Sequence, residues 1–290
     1  MGAEADRSPG ALVVSLDVEL TGALASSARS SEALQRVLEL LAEREIHATW
    51  ALVGLDRSRL DVAELIATIL AHPHQEIGTQ TIACYPSDAP GPSAAQLDAE
   101  LGAAVAIAAQ RDVQIRSLVF PRVQCRREYL PILARHGIRS YRGRRPGWAH
   151  AHSRSTITAA LRRGLCLADN FSLLIPDGAV AMTRLLAQPR GQPLELPASR
   201  YLRPYEPRFR QLEPLRVHRM QSEMITAAEA GWVYHLWLRP QELCSHTYEN
   251  LVAFDNLLRN ARALAGRVEF RSLTMDELAS SASSRPGVPR

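Results

Sequence analysis

Two carboxylates stand two residues apart in "SLDVE", Asp17 and Glu19, at the end of a β-rich apolar run. Strand side chains alternate, so both point the same way and at that spacing can share a proton or a cation. Acidic residues at strand ends also serve as plain loop caps, and the pair alone does not decide between the two uses. A second group is "HLWLRP", in which His235, Trp237 and Arg239 share one strand face and His235 lies deeper than Arg239. A histidine there can move a proton near neutral pH or simply hold a neighbouring backbone group. Arg239 stays charged and suits an oxyanion, a carboxylate or a phosphate. Arg122, Arg126, Arg142 and Arg144 add candidates for an anionic ligand, against a chain that is rich in arginine everywhere. Trp50 and Trp237 fit a sugar-stacking surface or a core. Cys84, Cys125, Cys166 and Cys244 form no C-x-x-C pair, so they read as reduced, partly buried residues rather than a zinc ribbon or redox dithiol.

The elements that must hold these residues alternate. Strands are expected at 11–17, 47–54, 75–81 and 115–121, and helices at 30–45, 61–72, 93–111 and 127–137, the last closed by Gly137. Residues 149–192 lack clear strand alternation and read as a helical or loop excursion. The pattern resumes with "LELPAS" at 194–199, a helix near 210–230, the strand "WVYHLWL" at 232–238, a helix at 247–266, a strand at 268–273 and a last turn at 274–279. About seven such units in one domain, 11–280, favour a closed α/β barrel, with disordered ends at 1–10 and 281–290.

Across 290 residues, 46% apolar composition is enough for a full core. A net charge of +4 is scattered without a basic stripe, which argues against nucleic acid as a partner. No stretch is long and apolar enough to span a bilayer, and the start of the chain does not resemble a signal peptide, so a cytoplasmic protein with a small-molecule substrate, free to form a homo-oligomer, is expected.

The ordered series "LVVSLDVEL", "HATWALVG", "HQEIGTQT", "SLVFPRVQ", "YLPILARHGIRSYRG", "LELPASRYLRPY" and "YHLWLRP" resembles the polysaccharide deacetylase (NodB-homology) family over roughly residues 11–280. The resemblance implies a distorted (β/α)7 TIM-like barrel and hydrolysis of an acetamide or similar bond, usually on a sugar. It makes Asp17 the general base and Glu19 the metal-binding acid; the family's acid histidine falls on Arg239, which leaves His235 as the acid or base candidate remaining in the barrel. The family's two metal-binding histidines fall on Gln80 and Cys84, neither of which replaces an imidazole pair. Where the family has Arg-x-Pro this chain reads Val119-Phe120-Pro121, with an Arg displaced to 122, while Gln124 and Tyr141-Arg142-Gly143 follow its pattern. No standard metal is therefore expected, with a divalent ion on Asp17, Glu19 and Cys84 as the alternative. Two readings follow. One is a metal-independent acid/base enzyme using Asp17, Glu19 and His235, with Arg122, Gln124, Arg142, Trp237 and Arg239 binding a small anionic or sugar-derived substrate. The other is an inactive barrel that binds a ligand or partner.

Overall fold

The structure, a computed structural model, describes residues 9–20, 27–53, 60–80, 92–120, 125–143 and 178–284. Its first half repeats strand and helix: β1 (Gly10–Glu19), α1 (Ala28–Glu43), β2 (Ala48–Val53), α2 (Leu60–Leu70), β3 (Gln75–Gln80), α3 (Ala94–Ala109), β4 (Ser117–Val119), α4 (Leu130–Arg135) and β5 (Ser140–Gly143). The second half holds β6 (Val180–Ala181), α5 (Met182–Leu186), β7 (Leu194–Pro197), β8 (Arg200–Tyr201), α6 (Glu213–Ala230), β9 (Trp232–Leu238), α7 (Thr247–Ala265), β10 (Phe270–Leu273) and α8 (Met275–Ser284).

Local chemistry sets the boundaries. Ser27 caps α1 by accepting the Ser30 N–H at 3.1 Å. Ser93 and Gln96 form a reciprocal capping box on α3. Gly231 ends α6 in the left-handed conformation, at φ 68°. The expected last turn is longer than its sequence suggests: α8 continues through Ser284, so 281–284 are helical rather than part of a disordered tail. Gly10, assigned to the disordered N-terminus, is already paired in β1. In the excursion, β6 lies antiparallel on the start of β9 and leads into α5, two short elements without the length to show a period.

The strands run in the order β9-β1-β2-β3-β4-β5-β7, all parallel. Two residues past β7, the chain changes partner. The Ser199 N–H donates to the His235 carbonyl at 2.8 Å, β8 pairs with β9, and the Leu202 N–H donates to the Trp237 carbonyl at 2.8 Å. One segment thus joins β5 on one side to β9 on the other and closes the ring, leaving β10 beside the first half of β1. This is the distorted (β/α)7 barrel expected from the sequence.

Alternation along β1 divides the interior from the shell. Leu12, Val14, Leu16 and Val18 face the helices in the main core. Ala11 and Val13 join Leu194, Leu196 and Val233, with Met182 and Leu185 of α5 and Met275 and Leu278 of α8, in a second apolar cluster that fills the amino end of the barrel. Above it the buried residues turn polar: Ser15, Thr49, Ser117, Ser140 and His235, and then Asp17 and Arg142. The apolar plug therefore lifts the chemistry to the carboxyl ends of the strands, where barrels of this type carry their sites.

Candidate functional site

Asp17, near the end of β1, is buried, and both of its oxygens are taken. Arg142 of β5 donates from Nη1 to Oδ1 and from Nη2 to Oδ2, each at 2.7 Å. The pair is bidentate and lies almost entirely out of solvent, at 4% side-chain exposure for each partner. Such a fork is the geometry in which a guanidinium best matches a carboxylate. Arg142 Nη1 also donates to Ser15 Oγ at 3.1 Å, and Ser15 Oγ lies 2.8 Å from His235 Nε2. Asp17, Arg142, Ser15 and His235 are one buried network.

His235 sits at its floor with no solvent exposure. Burial first, and then the Arg142 charge, push its pKa down to about 3, so the imidazole is neutral at physiological pH. Nδ1 faces the Leu196 and Pro197 carbonyls but meets neither in hydrogen-bond geometry. The His235 N–H donates to Ser199 Oγ at 2.9 Å, which fixes the histidine to the segment that closes the barrel.

Trp237 roofs the network. The Arg142 guanidinium lies 4.4 Å from its ring centroid, and Tyr201 stacks on it at 4.2 Å. Arg239 is 5.9 Å from the same ring and pairs with Glu242 at 2.9 Å. The Tyr201 hydroxyl also donates to Glu242, and burial, followed by that carboxylate, raises the Tyr201 pKa. Ser15, Tyr201 and Glu242 were not candidates from the sequence. The alternation in "VVSLD" places Ser15 beneath Asp17, but Tyr201 and Glu242 reach the site only through the barrel closure and the 3-10 turn at Pro240–His246.

The remaining sequence candidates separate. Glu19 is the exposed last residue of β1, and its carbonyl accepts from Gln241 Nε2 at 3.0 Å. Gln80 ends β3 in register with Val53 and Val119; it is buried, and its Oε1 has no hydrogen-bond partner among the described residues. Cys84, Arg122, Gln124 and Arg144 lie outside the described residues. Arg142, a ligand-binding candidate from the sequence, is instead the partner of Asp17. Arg126 is on the surface beside Glu128, 3.0 Å away. Trp50 is a core residue whose Nε1 donates to Gln75 at 2.8 Å. Cys125 and Cys244 are free thiols, and burial pushes Cys125 up to about 11, so it is not a ready nucleophile.

No family model matches the chain, and no curated protein matches it either. Solved structures do. A protein described as a polysaccharide deacetylase from Mycobacterium smegmatis superposes with a TM-score of 0.63 at 14% identity, over 97% of this chain and 98% of that one. The fold is that of the polysaccharide deacetylases. The Xyl-CE4 domain of a multidomain xylanase from the hindgut metagenome of Trinervitermes trinervoides matches at a TM-score of 0.51 and 12% identity, over 97% and 95% of the two chains. A 4-alpha-glucanotransferase from Thermococcus litoralis shares the barrel at 0.56 and 11% identity; 94% of this chain covers 40% of that enzyme.

A deacetylase barrel with the family's metal would need a carboxylate and two imidazoles at the mouth. Here Glu19, the metal-binding acid by resemblance, is exposed at the rim, but Gln80 presents one neutral carboxamide oxygen where an imidazole is needed, and His235 is turned toward Ser15 below. The described residues at the mouth do not fit that ion.

Proposed function

We propose that this chain is a deacetylase-fold barrel that binds a small anionic or sugar-derived molecule at the carboxyl ends of its strands without hydrolysing it. The observation that carries the reading is the closed Asp17–Arg142 fork. A general base needs a lone pair within hydrogen-bond reach of the water it activates. Asp17 instead commits one lone pair of each oxygen to Arg142, and at 4% exposure beneath the Trp237 ring it holds the others out of solvent. His235, the acid or base left once the family's acid position is Arg239, is neutral and two positions below Trp237 on the same strand face, sealed from the mouth. The cluster then acts as a rigid floor. Over it, Tyr201, Trp237 and Arg239 supply what a sugar acid or sugar phosphate uses: aromatic edges, a phenol and a guanidinium. The Arg239 side chain is 41% exposed, which leaves donors for a ligand beside its bond to Glu242.

The test is calorimetric titration with uronic acids and sugar phosphates. Saturable binding that Arg239→Ala weakens tenfold or more supports the reading. Absence of binding across both classes, or binding indifferent to Arg239→Ala and Tyr201→Phe, contradicts it.

The enzyme reading keeps one specific support, the exposure of Glu19 at the rim, where a carboxylate meets solvent directly. A Glu19-dependent turnover of a small anionic substrate would favour it.

A further inference from the structure

At the end of the barrel opposite the mouth, three potential ligand groups converge from three elements. His47 immediately precedes β2, His74 immediately precedes β3, and Glu277 lies in the first turn of α8. Their donor atoms all lie within 4.8 Å of one another. We propose that His47, His74 and Glu277 form a site for a divalent cation of the zinc type that ties the amino ends of β2 and β3 to α8.

Each donor is positioned by something other than the others. Register in the sheet brings the two histidines side by side, and the Ala48 N–H donates to the His74 carbonyl at 3.2 Å. His74 holds a left-handed backbone at φ 64°, uncommon for a residue with a Cβ, and this turns its ring onto His47. The rings stack at 4.0 Å and 7°, an arrangement two imidazolium ions would resist. Glu277 is set by the start of its helix. Its Oε2 accepts the Thr274 N–H at 2.7 Å while its own N–H donates to Thr274 Oγ1 at 3.1 Å, a reciprocal cap that aims the carboxylate at His47, 2.6 Å from Nδ1.

Two imidazoles and one carboxylate are a recognised zinc donor set, with the fourth position left to water. Tetrahedral bonds of about 2.0–2.1 Å need donor atoms roughly 3.3 Å apart, each imidazole holding the ion in its own ring plane, so the exposed His74 ring has to swing out of its stack on His47 to close the cluster on an ion. His74 is exposed and gives the ion a route in from solvent. Among the described residues this is the one group of three such donors, and it shares no residue with the network around Asp17.

The experiment is zinc titration of tag-free, chelator-treated protein by calorimetry, with cobalt(II) absorption as a second readout of four-coordinate geometry. One ion per chain is expected, with tenfold or greater weakening in His47→Gln, His74→Asn and Glu277→Gln. Asn tolerates the left-handed backbone and Gln can keep the helix cap, so these variants are expected to fold. Cys84→Ser and Glu19→Gln remove the alternative donors offered by the sequence and should bind as the parent does. A stoichiometric site that survives all three substitutions, one lost in Cys84→Ser or Glu19→Gln, or no saturable binding would overturn the proposal.

Discussion

At the scale of single residues, the fork between Asp17 and Arg142 decides how the site is understood. Breaking a buried ion pair from one side leaves an uncompensated charge, which costs about 3–5 kcal/mol, whereas replacing both partners by apolar groups of similar volume is often neutral. Arg142→Met should therefore lower unfolding stability by that amount, and adding Asp17→Leu should recover most of it; denaturant titration of the single and double variants measures the difference. His235 makes a separate prediction. Its folded pKa of about 3 lies below the ordinary histidine value, so between those limits the unfolded chain binds a proton that the folded one refuses. The stability it contributes is intact above the unfolded value and is lost as pH falls toward 3, at up to about 1.4 kcal/mol per pH unit. Comparing unfolding at pH 7 and pH 5, His235→Gln should show a shallower loss than the parent; equal losses would place the histidine in solvent.

Among the elements, the segment from β7 to β8 does most to make a barrel of the sheet. Ser199 accepts the His235 N–H, donates to the Gly178 carbonyl at 3.2 Å, and sends its own N–H to β9, all within a buried turn. Ser199→Ala strands buried groups and should cost about 1–3 kcal/mol, read as a lower midpoint of thermal unfolding with the secondary structure kept. The sequence foretold the long repeating elements because their periods are strong: Leu34, Val37, Leu38 and Leu41 mark the buried face of α1, and "WVYHLWL" coincides with β9. It did not foretell β6 or β8, because two residues carry no period, nor the change of partner at Ser199, which is set by tertiary pairing. Site residues divided the same way. Asp17 and His235 were visible on strands. The capture of Asp17 by Arg142, 125 positions away, was not, since only the closed ring brings β5 across from β1.

For the whole molecule, two ends of one barrel carry different chemistry. The mouth presents a buried ion pair under aromatic and guanidinium groups, while the amino end gathers two imidazoles and a carboxylate around an apolar plug. At the mouth Arg142 is matched by Asp17 and Arg239 by Glu242, so an anion there would be held by the donors left on the half-exposed Arg239 rather than by a net positive field. Among the described residues no helix is long and apolar enough to cross a membrane. The most direct test of the central claim is acetate release from N-acetyl sugars and acetylated xylan by purified protein, with and without added zinc or cobalt. Release at the rate of a protein-free control is expected in every condition. Release above that control which disappears in Asp17→Asn would show that Asp17 is a working base and contradict it.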